Sequence, residues 1–302
     1  MQIIKPVTVT NAILTSSTVP ETDYAEWNAA STYAVGDKVI VTGVTHKVFE
    51  SLTAGNINQN PVGGDGTQWL TLGATNRWRA FDQKIADQVV QQDSINYVFG
   101  NYNSNVTSLA LFNLLGISAN VTVTDTTAGE VYNTTISLID NRNIVDWFTY
   151  FFEEQVQKET AQFIDIPPYR NAAISVTVTA NTGEDAKLGQ IVFGYLTDIG
   201  ATTYGTSISI EDFSRKETDA FGNFIVVERA FSQLADFDVQ FETRNARRIQ
   251  RTLAELRAVP VVYIGSSDTA YGTTIYGFYR RFDLTLETPS LSFGAIEVEG
   301  LT

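Results

Sequence analysis

Residues 172–180 read AAISVTVTA, and the alternation in this stretch decides the fold class of the chain. Apolar Ile174, Val176 and Val178 are separated by serine and threonine. Because successive side chains of a strand point to opposite faces of a sheet, this period of two predicts a strand with one buried face and one hydroxyl-rich face toward solvent. The pattern is typical of an antiparallel sheet.

Outward from this strand, residues 76–200 contain further short β segments divided by turn signals such as DTTAGE and NTGEDAK. Their spacing predicts an antiparallel β-sandwich domain. The domain resembles the jelly-roll sandwiches of sugar-binding and virion proteins, at the level of the fold alone. The predicted strands are 108–116, 119–125, 131–139, 161–166, 172–180 and 189–197.

Residues 201–302 combine strands with one helix. The helix is predicted over 244–258, because Ile249, Leu253 and Leu256 recur at helical spacing and Pro260 ends the pattern. We expect a C-terminal α+β module that serves assembly, in a chain that is mainly β and has several domains. The predicted strands of this module are 207–214, 223–231, 236–243 and the segments VVYIG, IYGFYRRFDLTL and LSFGAIEVEG.

Residues 1–20 alternate weakly and end at Pro20, which predicts a strand-like N-terminal arm. Such an arm either pairs with the sheet edge of another subunit or caps a domain of its own chain. The sequence leaves both outcomes open.

Residues 21–75 have the size of a small separate module. Its centre is a predicted three-stranded unit, with a hairpin that turns at Thr42-Gly43 and a closing aromatic residue, Trp69. Several unlike residues follow one another here at short intervals. In order they are Trp27, Tyr33, Gly36-Asp37, Val39, Gly43, Pro61, Trp69 and Leu72-Gly73.

This order resembles the chitin-binding type of carbohydrate-binding module, families 5 and 12, over about a sixth of the chain. The resemblance implies a glycan site formed by Trp27, Tyr33 and Trp69, on whose rings a sugar would stack. His46 stands where the family commonly has tyrosine, and it is the fourth candidate ligand-binding residue. In a unit of about fifty residues the same rings are also the natural core. Ser51-Leu52 departs from the family at a position where further aromatics are common.

Residues 74–83, ATNRWRAFDQ, follow the module directly. A module of this kind that runs into such a segment resembles virion proteins of tailed bacteriophages. The resemblance implies a structural protein of the distal tail, the baseplate or a tail appendage, made in the cytoplasm of the bacterial host. The implied partners are other tail proteins, further copies of the chain and host-surface glycans.

A second class of function stays open at this point. The same module is compatible with a stand-alone carbohydrate-binding protein or with the accessory region of a polysaccharide-degrading enzyme. Among the 34 acidic residues, a carboxylate pair that cleaves polysaccharide is a third possibility.

Composition argues against several other functions. The chain of 302 residues has no cysteine, one histidine and a formal net charge of −14. These counts remove thiolate chemistry and multi-histidine metal sites, and the negative charge opposes nucleic-acid binding. Apolar runs are too short for a membrane-spanning helix. We therefore expect no catalytic activity, no metal, no cofactor and no membrane insertion.

Three further features carry alternatives. The aromatic segment 147–152 predicts either core or a subunit interface. The arginines of the predicted helix form either a patch for an acidic partner or a solvated face. The oxygen-rich loop 56–65 is either a calcium site or a plain turn-rich connection, and its spacing favours the second.

Overall fold

The computed structural model describes residues 1–142, 144–152, 156–170, 172–218, 221–268 and 271–302. The chain is mainly β with few helices, as the alternation predicted, and its strand ladders are antiparallel. The predicted fold class is confirmed.

The N-terminal quarter contains seven short strands and a 3₁₀ helix, Asn76–Phe81. The strands are β1 (Gln2–Pro6), β2 (Leu14–Ser17), β3 (Thr32–Tyr33), β4 (Lys38–Val41), β5 (Lys47–Ser51), β6 (Asn56–Ile57) and β7 (Trp69–Ala74).

The described residues in the middle of the chain form ten strands and one short helix, α1 (Trp147–Phe152). The strands are β8 (Val89–Gln92), β9 (Ser94–Phe99), β10 (Ser108–Leu115), β11 (Ser118–Asp125), β12 (Gly129–Ser137), β13 (Ile139–Asp140), β14 (Val156–Gln157), β15 (Thr160–Phe163), β16 (Ala173–Thr179) and β17 (Asp185–Asp198).

Within residues 201–218, 221–268 and 271–302 the structure has eight strands, a 3₁₀ turn at Thr243–Asn245 and the helix α2 (Ala246–Glu255). The strands are β18 (Ala201–Thr202), β19 (Ser207–Asp212), β20 (Arg215–Thr218), β21 (Phe224–Val227), β22 (Phe231–Glu242), β23 (Val261–Ile264), β24 (Thr274–Thr285) and β25 (Leu291–Gly300).

A β-sandwich forms the body of the chain. Its first layer is a five-stranded sheet in the order β12-β11-β16-β9-β2. Its second layer is the part of an 11-stranded sheet that contains β10, β15 and β17. Ile174, Val176 and Val178 of β16 point into the core between the layers, where they meet Leu109 and Phe193.

The 11-stranded sheet curls, so that its β15 edge meets β24. The order along the sheet is β15-β10-β17-β1-β23-β24-β25-β22-β18, with β19 also paired to β22 and β8 to β17. Across the concave side, Thr274 Oγ1 donates to Gln162 Oε1 at 3.1 Å. The rings of Phe112 and Tyr276 lie 5.9 Å apart on the same side. On the other face, Phe237 and Ile296 pack against α2.

The strand β1 lies in the middle of this sheet, between β17 and β23. Ile4 is opposite Leu196 on one side and Val262 on the other. Gly194 of β17 permits the close approach, because a Cβ there would overlap the carbonyl oxygen of Lys5. The N-terminal arm therefore pairs within its own chain, and it joins strands of 76–200 and 201–302 in one sheet.

The module of residues 21–75 has a three-stranded sheet, β4-β5-β7, and a two-stranded sheet, β3-β6. The β4–β5 turn places His46 at a positive φ of 50°. The module has its own small core, separate from those of the body.

Candidate functional site

Three of the four predicted glycan-binding residues lie together in the core of the module. Trp69 is 6% exposed and packs with Val39 and Phe49, and the partly buried Trp27 and Tyr33 lie against this cluster. The rings of Tyr33 and Trp69 meet edge to face at 5.2 Å. The rings therefore face one another, as expected of a unit with little else to bury.

The polar ends of two of these rings are occupied by their own loops. Trp69 Nε1 donates to the carbonyl oxygen of Gln59 at 2.9 Å, and the Tyr33 hydroxyl accepts from the Asn28 N–H at 2.8 Å. Trp27 Nε1 is buried and has no hydrogen-bond partner among the described residues. Glycan binding by these residues stays a prediction.

His46, the fourth predicted residue, lies at the junction between the module and the body. Its Nδ1 is 2.8 Å from Glu21 Oε1, and its Nε2 is 2.5 Å from Asn11 Oδ1. Its ring stacks on Trp78, with centroids 4.1 Å apart. Nε2 thus holds the module against the arm, Nδ1 binds Glu21 at the start of the module, and the ring packs on the 3₁₀ helix.

A groove beside this junction was not predicted from the sequence. It has a volume of about 360 Å³ and is lined by Lys47, Trp78, Phe81, Asp82 and Lys84, among others. Trp78 Nε1 and Asp82 Oδ2 are buried and have no hydrogen-bond partner among the described residues. Trp78, Phe81 and Asp82 come from the segment RWRAFD at 77–82, so the combination of indole, phenyl and carboxyl groups there was the signal in the sequence.

The carboxyl of Asp82 has an altered acidity. Burial is the main cause, and it raises the pKa of Asp82 to about 6 because the ionised form loses solvation. A hydrogen bond from the Lys84 N–H opposes the shift, and the negative charge of Asp87 adds to it. The carboxyl therefore takes up a proton more readily than an ordinary aspartate.

Two side chains of the oxygen-rich loop 56–65 bind groups two residues further along the chain through their oxygens. Asn60 Oδ1 accepts from the Val62 N–H at 2.9 Å, and Asp65 Oδ1 accepts from the backbone and the hydroxyl of Thr67. Among the residues that the structure describes, no group of three or more histidine, aspartate or glutamate side chains is placed to hold a metal ion.

Three arginines of the region predicted as a helix, one in the 3₁₀ turn before α2 and two in α2, have partners in their own chain. Arg244 Nε lies 2.6 Å from Glu242 Oε2, and Arg251 Nε lies 3.1 Å from Glu255 Oε1. Arg248 donates to the carbonyl oxygen of Asp198 at 3.1 Å. These contacts favour the solvated face over a patch reserved for an acidic partner.

The aromatic segment 147–152 projects from the body. We call these residues the aromatic knob. It is carried by the two-stranded β13–β14 stalk, and its rings contact one another while they remain between 58% and 78% exposed. These rings are therefore not part of the core of their own chain, and a subunit interface there stays a prediction. The exposed rings are Trp147, Phe148, Tyr150, Phe151 and Phe152.

A second projection is formed by residues 207–218 and 221–236, which we call the β arm. Its base pairs β19 with β22, and its outer part pairs β20 with β21. Sequence reasoning assigned this region to ordinary strands of the C-terminal module. In the structure its outer part exposes a run of apolar side chains, Phe221, Phe224, Ile225, Val226 and Val227.

No protein-family model matches the sequence, and no curated protein is significantly similar to it. Within the described part of the chain, none of the helices has the length and apolar character needed to cross a bilayer.

Proposed function

We propose that the chain is a structural subunit of a virion, in the distal tail, baseplate or a tail appendage of a tailed bacteriophage. It acts through its surfaces, by binding other copies and neighbouring tail proteins, and not by catalysis. The specific placement in a phage tail rests on the resemblance of residues 24–83 to tail proteins.

The observation that carries the assembly role is the exposure of the aromatic knob and the β arm. Monomeric proteins in water rarely expose contiguous apolar patches beyond a few hundred Å², and larger patches mark interaction sites. Here two exposed apolar groups of residues, the aromatic knob and the β arm, lie outside a body that has its own buried cores. Subunits of closed assemblies expose apolar surface of this kind until their neighbours cover it.

The state of His46 supports the non-catalytic part of the proposal. It is the only histidine in the sequence, and both of its ring nitrogens are engaged in contacts that hold the module. General-base catalysis by histidine would need one of these nitrogens to be available to a substrate.

Immunogold electron microscopy tests the proposal. An antibody to this chain should label the tail or its appendages on particles purified from the phage's bacterial host. Gold confined to debris, with unlabelled particles, would contradict it. As a positive control, an antibody to a known tail protein should label particles from the same preparation.

Contact with a host-surface glycan is a second candidate function, favoured by the junction groove. A sugar hydroxyl both donates and accepts hydrogen bonds, which matches the unused Trp78 Nε1 and Asp82 Oδ2. Titration with N-acetylglucosamine oligomers, followed by tryptophan fluorescence, should give a saturable change that Asp82→Asn weakens. A signal that Asp82→Asn leaves intact but Trp27→Phe removes would place the sugar on the module instead.

A further inference from the structure

An apolar pocket lies next to the aromatic knob in the chain. It measures about 270 Å³, enough for one aromatic side chain, and it opens on the concave side of the curled sheet. Its apolar wall includes Ile85, Phe112, Phe231, Tyr276 and Leu301. Glu159 and Gln233 also line it and supply oxygen acceptors. An apolar pocket with a few polar groups is the usual form of a specific binding site.

The knob's stalk ends beside this pocket. The strand β14 ends at Gln157, and Glu159 and Thr160 of the pocket follow within three residues. At about 3.5 Å per residue, the base of the stalk is within about 10 Å of the pocket. The chain therefore carries a protruding apolar group and a receptive apolar cavity as neighbours.

The area of the knob suits a stable contact between proteins. Five aromatic side chains of roughly 150–250 Å² each, about two thirds exposed, offer about 500–800 Å². A standard interface buries about 800 Å² on each partner. The knob and the neighbouring pocket together therefore supply most of the area that one partner buries in a standard interface.

Charge argues against a membrane as the partner. The chain has a formal net charge of −14, and Asp146 accepts a hydrogen bond from the backbone of Thr149 at the start of the knob. A cytoplasmic membrane surface is itself negative and attracts basic segments. A second copy of the chain carries the same negative charge and repels the first at long range. What favours the second copy is contact at short range, because it offers an apolar cavity that the membrane does not.

We propose that the aromatic knob of one chain occupies the apolar pocket of a second copy, and that the two copies exchange knobs about a twofold axis. Each chain carries both the knob and the pocket that would receive a knob, so the two together form a self-complementary patch. A twofold interface requires such a patch, because it uses the same surface on both subunits. The pocket has room for one aromatic side chain, and Trp147 is the one assigned to it, because its indole N–H is a donor for the pocket's acceptors. This inference rests on the proposed assembly function and specifies its partner and surface.

Substitutions on both sides test the exchange. Analytical ultracentrifugation of the full chain should show a dimer. Trp147→Ser on the knob should weaken dimerisation by about 30-fold or more, as for an interface hot spot. Ala230→Trp, which fills the pocket from its rim, should have a similar effect. Tyr204→Ser is the matched control, because Tyr204 is a fully exposed aromatic remote from the pocket lining.

Because the chain has no cysteine, disulfide trapping gives an independent test. Chains carrying Tyr150→Cys on the knob and chains carrying Thr160→Cys at the pocket, mixed under mild oxidation, should form a mixed disulfide dimer. Thr126→Cys, in the exposed turn at the far end of β12, replaces Thr160→Cys as the control and should not be trapped.

Several outcomes would overturn the inference: a chain that stays monomeric, a dimer that Trp147→Ser leaves unchanged, or a knob that binds phosphatidylcholine vesicles in flotation and not a second copy. A folded Trp147→Ser variant, checked by circular dichroism, is expected because the ring lies outside every core. A monomeric chain found on immunolabelled virions would refute the exchange alone. A knob-dependent dimer absent from virions would refute the proposed location alone.

Discussion

The imidazole of His46 lies flat on the indole of Trp78, with centroids 4.1 Å apart and planes inclined by 19°. The stack joins the turn of a module hairpin to the 3₁₀ helix at the start of the body. Glu21, which is 8% exposed at its side chain, completes the contact by bonding His46 Nδ1 and Thr75 Oγ1. His46 thus contacts three separate segments of the chain, at Trp78, Glu21 and Asn11.

Replacing His46 should destabilise this junction. His46→Ala removes the stack and deprives buried Glu21 of a partner, which should lower the free energy of unfolding by about 1–3 kcal/mol. Urea denaturation followed by far-UV circular dichroism measures the change. Lys47→Ala, at an exposed neighbour, should stay within about 0.5 kcal/mol of the parent. Equal stability of His46→Ala and the parent would show that the contact contributes nothing.

Truncation of Trp69 should unfold the module. Trp69→Ala removes the largest side chain of a core with few members, at a cost of about 3–5 kcal/mol. Hydrogen exchange should therefore accelerate at the amides of β4, β5 and β7 while those of β16 keep their protection. Leu70→Ala, where the side chain is half exposed, is the control and should leave exchange unchanged. If the amides of β4, β5 and β7 exchanged as slowly in the Trp69→Ala variant as in the parent protein, the assignment of Trp69 to the core would be contradicted.

A methyl group at Gly194 should displace β1. Because its Cβ would overlap the Lys5 carbonyl oxygen, Gly194→Ala should cost about 1–3 kcal/mol or more. Gly43→Ala is the matched substitution, since a Cβ there meets nothing within 4 Å. Thermal unfolding of both variants should show a clear decrease in Tm for Gly194→Ala alone. Similar melting of the two variants would mean that β1 tolerates a shift.

The pH dependence of stability should report the protonation of Asp82. Its pKa is raised from 3.8 to about 6 on folding, so the folded protein binds the proton more tightly than the unfolded chain. The associated stability is complete below pH 3.8 and is lost as the pH rises through about 6. Asp82→Asn, which keeps an acceptor for the Lys84 N–H, should be more stable than the parent at pH 7.5 and equal to it near pH 4. Urea titrations across this range measure the difference, and a constant difference would contradict the shift.

Local patterns predicted the elements of the body well. The alternation of Ile174, Val176 and Val178 has its counterpart in β16, where all three side chains are buried. The helix predicted over 244–258 is observed as Ala246–Glu255, because Leu256 caps it and Ala258 takes a positive φ of 61° before Pro260. These features depend on neighbours within a few residues, which a sequence pattern records directly.

Features set by distant contacts were not predictable in the same way. The place of β1 depends on Leu196 and Val262, which no periodicity within residues 1–20 specifies. The order Trp27, Tyr33, Trp69 indicates a compact unit, but whether rings meet each other or solvent depends on the closing loop. Likewise, aromatic density at 147–152 does not say whether a ring is buried by its own chain or by another.

The central position of β1 also sets an order of events during biosynthesis. Residues 2–6 leave the ribosome roughly 260 residues ahead of their partner β23. At about 5–20 residues per second, the nascent strand waits about 13–50 s for a complete pair of neighbours. During that interval Ile3 and Ile4 lack the β23 side of their burial site, so the segment that holds the finished sheet together stays partly exposed while the chain is made.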